Sequence, residues 1–190
     1  MSVVGCIADD FTGATDLAGA LVRQGLRVVQ FFGPPPEEAR STTADAVVIA
    51  LKTRSSPRQQ AVDESLAALG ALREMGAQRF LLKYCSTFDS TPEGNIGPVA
   101  VALMERLDTE QTILCPAFPK NGRTQYSGHL FVFGEPLSES SMRDHPLTPM
   151  RDSNLLRVLA SQVEEEVALV DYSAAVSYTH LRAHETYLLI

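Results

Sequence analysis

The sequence predicts an α/β fold: a mostly parallel sheet flanked by helices in a Rossmann-like three-layer arrangement, with an inserted hairpin or flap. Three observations predict it. Short apolar runs rich in β-branched residues recur along the chain, most of them stop abruptly at polar residues, and segments with apolar positions three and four apart separate them. A chain of 190 residues, 45% of them hydrophobic, is also long enough to bury one core without disulfides or metals.

The run Val3-Val4-Gly5-Cys6-Ile7-Ala8 ends at Asp9-Asp10 and reads as a buried parallel strand meeting its carboxyl edge. A helix follows, capped by Thr12 or Thr15, with Leu17, Ala20 and Leu21 on one face and Gly25 as its stop. Arg27 to Phe32 makes a second strand, Gly33-Pro34-Pro35-Pro36 breaks regular structure, and Ala46 to Leu51 makes a third strand that runs into Lys52-Thr53-Arg54-Ser55-Ser56. From Arg58 to Met75, Ala61, Val62, Leu66, Leu69, Leu72 and Met75 recur at helical steps, and Gly76 closes the helix. Phe80 to Leu82 is a strand, Ile96 to Leu107 a helix built around Val99, Leu103 and Leu107, and Thr112 to Cys115 a fifth strand. In an open parallel sheet the ligand site lies beyond the carboxyl ends of the strands, so Asp9-Asp10, Lys52 to Ser56, Lys83 to Thr91 and Pro116 to Arg123 are expected at one edge. The Pro-, Ser-, Gly- and His-rich stretch from Asn121 to Asn154, with a hairpin around Gly128 to Phe133, reads as a flap over that edge.

Sixteen Lys and Arg against 23 Asp and Glu leave a net charge of −7, which argues against broad binding to nucleic acid or anionic membranes and favours a small-molecule partner. Cys6, Cys85 and Cys115 form no closed disulfide set and no C-x-x-C, so buried reduced thiols and a cytoplasmic location are expected, with no metal site. The acidic start lacks the basic and apolar regions of a signal peptide, and no apolar stretch approaches 18 residues.

The carboxylates Asp9 and Asp10, at a strand end facing a helix N-terminus, suit binding a substrate hydroxyl and taking its proton, as in phosphoryl transfer to an alcohol. Helix capping explains one of them equally well. Lys83 to Asn95 packs one cation, several hydroxyls and an acid into a loop opening a helix. Lys83 suits a carboxylate, and Ser86, Thr87 and Asp89 suit hydroxyl groups, although a Ser/Thr turn accounts for the same composition. Arg54, Arg123 and Arg143 are candidates for bidentate carboxylate recognition, with Arg123 presented by the turn Lys120-Asn121-Gly122-Arg123. His145 and His129 offer proton transfer or ligand contact, but His129 between apolar neighbours fits a structural role better. The glycine fingerprint of a dinucleotide-binding oxidoreductase is absent after the first strand, and so is a Walker lysine motif.

Asp9-Asp10-Phe11-Thr12-Gly13-Ala14, Lys83 to Thr91, Cys115 to Thr124, Leu137-Ser138-Glu139-Ser140, Met142 to Met150 and Asp152-Ser153-Asn154-Leu155 together resemble the four-carbon acid sugar kinase family, and within it the 3-oxo-tetronate branch. The resemblance spans about Val3 to Tyr172. It implies ATP-dependent phosphorylation of the terminal hydroxyl of a four-carbon sugar acid, giving a 3-oxo-tetronate 4-phosphate. Members of the family are about twice this length, so residues 1–176 correspond to the acid-sugar-binding N-terminal domain. ATP and Mg²⁺ are then expected mainly through a second, C-terminal domain. On this reading Asp9 or Asp10 is the catalytic base, Lys83 and Arg123 hold the carboxylate, and Ser86, Thr87, Asp89 and Ser90 read the hydroxyl and oxo groups. Thr12, Arg54, Asn121, Arg143 and His145 complete the substrate set, and the Leu137 to Asp152 flap closes over the sugar. A homodimer stays open as its assembly, and a non-catalytic sensor of sugar acids is the rival reading. Residues 177–190 depart from the family pattern and resemble translated adapter read-through, so a non-native tail is expected there; the spacing of His180 and His184 then loses its metal-binding meaning.

Overall fold

A computed structural model describes residues 3–171 and the backbone of 187–189. The chain divides into two compact units, Met1–Tyr84 and Cys85–Ile190. The first unit holds β1 (Val3–Ala8), α1 (Phe11–Arg23), β2 (Val28–Phe32), β3 (Ala46–Ala50), α2 (Arg58–Glu74) and β4 (Ala77–Lys83). Its four strands form a parallel sheet in the order β2-β3-β1-β4.

The sheet is covered on both faces, as the continuous apolar strands predict. Every residue of β3 is buried. Alternation along β1 sends Cys6 and Ala8 to one face, where they pack with Val48, Ala50 and Ala14, and with Leu17, Ala18 and Leu21 of α1. Gly5 faces the other way. A methyl group there would lie 3.0 Å from the Ala77 Cβ and 3.2 Å from the Leu72 Cβ, so the missing side chain is what lets α2 approach β1 this closely. Helices on opposite faces of one parallel sheet make the expected three layers. The stops also fall where glycine allows a positive φ: Gly25 follows α1 at φ 85° and Gly76 follows α2 at φ 84°.

The second unit departs from the sequence expectation first in its sheet. The fifth strand, β5 (Gln111–Ile113), is not part of the four-stranded sheet. It belongs to a separate parallel sheet in the order β5-β10-β9, with β9 at Glu166–Ala168 and β10 at Tyr187–Leu189. Periodicity identifies a strand but not its neighbour, which is why the simple alternation pointed to one sheet. Of the expected tail, Tyr187–Leu189 is seen as this central strand, while His180 and His184 lie outside the described residues.

Helix α3 runs over Ile96–Leu107, as its spacing predicts, and buries Ile96, Val99, Ala100, Leu103 and Met104 on one stripe. The expected hairpin is a three-stranded antiparallel meander, β6 (Arg123–Tyr126), β7 (His129–Val132) and β8 (Glu135–Pro136). Both of its turns have two central residues with positive φ, Ser127-Gly128 and Phe133-Gly134, the combination that matches the twist of a tight hairpin. The flap that follows is packed rather than loose, since Leu137 and Met150 are fully buried and the Ser153 hydroxyl accepts from the Ser138 amide at 2.8 Å. Helix α4 (Leu155–Ala160), absent from the sequence expectation, is capped by Asn154, whose side chain accepts from the Arg157 amide at 3.1 Å.

Candidate functional site

In the first unit, strand order builds the site. Because β1 lies between β3 and β4, the residues leaving its carboxyl end are flanked by both neighbouring strand ends. The Asp9 amide donates to the Lys83 carbonyl at 3.0 Å, and the Asp9 carbonyl accepts from the amides of Thr53 at 3.0 Å and Arg54 at 3.2 Å. Three loops far apart in sequence are thereby tied to one residue.

Their side chains form a charge cluster. Arg54 grips Asp9 with both prongs of its guanidinium, Nε to Oδ2 at 3.0 Å and Nη2 to Oδ1 at 2.9 Å, and Nη2 also reaches Asp10 Oδ1 at 2.8 Å. Burial pushes the Asp9 carboxyl above its ordinary range, and the hydrogen bonds and charge of Arg54 oppose that shift. Asp10 is the N-cap of α1: its Oδ1 accepts from the Gly13 amide at 2.9 Å. The cap is therefore Asp10 and neither Thr12 nor Thr15. Thr15 instead donates its hydroxyl to the Phe11 carbonyl inside the helix, and Thr12 is exposed on the first turn. Lys83 completes the group, its ammonium donating to the Tyr84 carbonyl at 2.5 Å. A methyl group on Gly13 would lie 2.5 Å from Asp10 Oδ1 and 3.2 Å from Lys83 Nζ, so glycine is what allows the helix start, the acid and the cation to crowd together.

The remaining candidates lie in the second unit. The loop from Cys85 turns sharply at Phe88 and Asp89, both with positive φ, and Phe88 is fully buried beneath it. Thr87 and Asp89 are buried and paired, hydroxyl to carboxylate at 2.6 Å, with the Cys85 sulfur 3.0 Å from the same hydroxyl. Ser90 is buried as well. Its hydroxyl oxygen accepts from Gln162 Nε2 at 2.8 Å, the same amide nitrogen donates to the Thr91 carbonyl at 2.7 Å, and Gln162 Oε1 accepts from the Gly97 amide at 2.9 Å. Ser86 alone among the four predicted readers on this loop is partly exposed. Gln162 was invisible to motif reasoning, because a glutamine in a polar stretch carries no local signal of what it will clasp.

Arg123 follows a short 3-10 turn at Pro119–Asn121 and donates from Nη1 to the Asn121 carbonyl. Its guanidinium lies 5.5 Å from the centroid of the Phe133 ring, an exposed aromatic the sequence reading did not single out. Gly122, with φ 72°, is needed twice over, since a side chain there would also strike that ring. Asn121 and Arg143 are exposed. His145 Nδ1 accepts from the Thr148 amide at 3.2 Å and lies 2.9 Å from the Thr148 hydroxyl. His129 has the structural surroundings expected, its ring nitrogens 3.0 Å from the Ser127 carbonyl and 3.4 Å from Asn154 Nδ2. Among the described residues, no helix is long and apolar enough to cross a membrane, and no group of three or more His, Cys, Asp or Glu is placed to hold a metal.

Fold and cluster together define an α/β domain whose acid–arginine group stands at the carboxyl ends of parallel strands, beside a helix N-terminus. The chain belongs to the family described as Sugar-binding N-terminal domain, which matches residues 4–187. It is 59% identical over 173 residues to the 3-oxo-tetronate kinase of Pseudomonas savastanoi pv. phaseolicola, covering 90% of this chain and 40% of that protein. The 3-oxo-tetronate kinase of Cupriavidus necator is 56% identical over 183 residues, 95% of this chain and 42% of the relative. The chain thus spans about two fifths of the length of these curated relatives. Among solved structures, the Haemophilus influenzae protein HI1011 superposes with a TM-score of 0.88 at 44% identity, over 97% of this chain and 47% of its own. A Bordetella bronchiseptica protein with bound citrate, a domain-swapped dimer, superposes at 0.76 with 25% identity, over 98% of this chain and 46% of its own.

Proposed function

We propose that this chain is the acid-sugar-binding part of a kinase that phosphorylates the terminal hydroxyl of a four-carbon sugar acid, with 3-oxo-tetronate as the substrate. The observation that carries the reading is the cluster of Asp9, Asp10, Arg54 and Lys83 at the carboxyl edge of the first sheet. It puts carboxylates able to orient and deprotonate a hydroxyl within reach of a cation and helix amides able to face an anion. The names of the longer relatives support the reaction, and the citrate of the Bordetella protein supports a polyhydroxylated or polycarboxylated ligand.

In this reading Lys83 and Thr12 of the first unit are candidates for the carboxylate and hydroxyl groups of the sugar acid. Within the second unit Arg123 is the candidate for a carboxylate and Ser86, Asn121, Arg143 and His145 for further polar contacts, while the buried Thr87-Asp89 pair and Ser90 hold the loop in shape. ATP and Mg²⁺ are assigned mainly to the part of the longer relatives that this chain does not span, as the family resemblance implies, and what this chain supplies is the binding and positioning of the acid sugar and the carboxylates that face its hydroxyl.

Calorimetry of the 190-residue chain with D-threonate, D-erythronate and 3-oxo-tetronate, beside a phosphoryl-transfer assay, tests the proposal. Weak binding of at least one acid and little turnover are expected from the chain by itself, with turnover from the longer protein. Normal kinase turnover by this chain, or no binding of any four-carbon acid, overturns it. Binding with no kinase activity in the longer protein selects the sensor instead.

A further inference from the structure

Two adjacent carboxylates at the edge of the first sheet are held in different ways, and the difference assigns their roles. Asp9 is committed through both oxygens, Oδ1 and Oδ2 each receiving one prong of Arg54, and its side chain is only 13% exposed. Asp10 is committed through one oxygen, since the Gly13 amide and Arg54 Nη2 both converge on Oδ1, and its side chain is 27% exposed.

Burial raises the affinity of the Asp9 carboxyl for a proton, but both of its oxygens are taken by the Arg54 fork, so a substrate hydroxyl can reach either one only by displacing an N–H of that pair. Protonation of Asp10 at Oδ2 disturbs neither the cap nor the contact with Arg54.

Resting on the kinase reading above, we propose that Asp10, through Oδ2, is the residue that takes the proton from the attacking hydroxyl, and that Asp9 and Arg54 are positioning residues. Asp9 keeps the Arg54 fork occupied, so that the guanidinium steadies Asp10 by one nitrogen and does not capture both of its oxygens. In the step itself the substrate O–H bond breaks and its proton passes to Asp10 Oδ2. The electron pair left on oxygen forms the new bond to the terminal phosphorus of a nucleoside triphosphate, and the bond from that phosphorus to the bridging oxygen breaks, leaving its pair on the nucleoside diphosphate. Asp10 then returns the proton to solvent.

The test uses the full-length protein containing this domain, with the sugar acids named above. Asp10→Asn keeps an N-cap acceptor and is expected to lower kcat by roughly 10²–10⁴-fold, the range for loss of a general base, with KM changed by less than about threefold. Asp9→Asn is also expected to lower kcat, because the freed Arg54 folds onto Asp10. The double variant Asp9→Asn/Arg54→Met is expected to regain about tenfold or more over Asp9→Asn, a rescue that neither a catalytic Asp9 nor a merely structural one allows. Calorimetry on the 190-residue chain is expected to show the Asp10→Asn variant binding the sugar acid with little loss. An active enzyme in which Asp10→Asn retains kcat within tenfold, or in which the double variant shows no recovery, overturns the assignment while leaving the kinase reading intact. A full-length protein that transfers phosphate to none of these acids overturns the reading and the assignment with it.

Discussion

Gln162 offers the sharpest structural test. Its side-chain amide is buried and makes three hydrogen bonds, to the Ser90 hydroxyl, the Thr91 carbonyl and the Gly97 amide, joining a loop and a helix start that lie 65 to 72 residues away in sequence. The Gly97 amide belongs to the first turn of α3, where backbone donors have no partner inside the helix, and Asn95 at the N-cap position makes no side-chain capping bond. Replacement by Leu keeps the approximate volume but strands the Thr91 carbonyl and the Gly97 amide; the Ser90 hydroxyl can rotate toward another acceptor. At about 1–3 kcal/mol for each buried group left unsatisfied, Gln162→Leu should cost roughly 3 kcal/mol, or about 6–12 °C in Tm for a chain of this size. Urea denaturation measures the loss, and amide hydrogen exchange at Gly97 localises it, since that proton should lose protection before the core of α3 does. Gln162→Glu is the control. It keeps an acceptor for Gly97 but sets a carboxylate oxygen against the Thr91 carbonyl, so its cost should be comparable to that of Leu while Gly97 stays protected. A loss below about 1 kcal/mol for Gln162→Leu, or unchanged Gly97 exchange, refutes the view that this amide holds the loop.

Two further outcomes follow from packing and burial. Gly5→Val forces a branched side chain against Leu72 and Ala77 and should cost about 1–3 kcal/mol by overpacking, read as a lower urea midpoint at constant m; an unchanged midpoint refutes the close approach of α2 to β1. Burial pushes the Cys6 thiol up to about 12 from 9.0, a difference of three pH units and so roughly 10³-fold less thiolate at neutral pH, whereas Cys115 is exposed. Thiol titration of the native chain should therefore modify Cys115 rapidly and Cys6 only after unfolding, and early labelling of Cys6 by peptide mapping counts against its place under α1.

Much of this architecture is legible in the order of residues. Strand β1 and helix α3 fall where the apolar spacing puts them, because burial of a face is a local property of a strand or helix and leaves a period of 2 or 3.6 in the sequence. The stops at Gly25 and Gly76 are legible for the same reason: a positive φ is a local demand that few other residues meet. Helix α4 was missed because six residues hold less than two turns, too few for a period to show.

The candidate site was legible as a set of residues and not as an arrangement. Asp9, Asp10, Arg54 and Lys83 stand out as polar groups where apolar strands end, so the chain's own pattern is enough to nominate them. That Arg54 takes Asp9 in both prongs and touches Asp10 with one, across 45 residues, follows only once β1 is seated between β3 and β4. The same holds for Arg123 over Phe133, for Gln162 clasping Ser90, and for β5 in its separate sheet. Element type is set by neighbours a few residues away, which the sequence displays directly. Partner choice is set by neighbours in space, and a hydrogen bond or ion pair depends on ångström distances that strand order and glycine-sized gaps fix after the chain has folded.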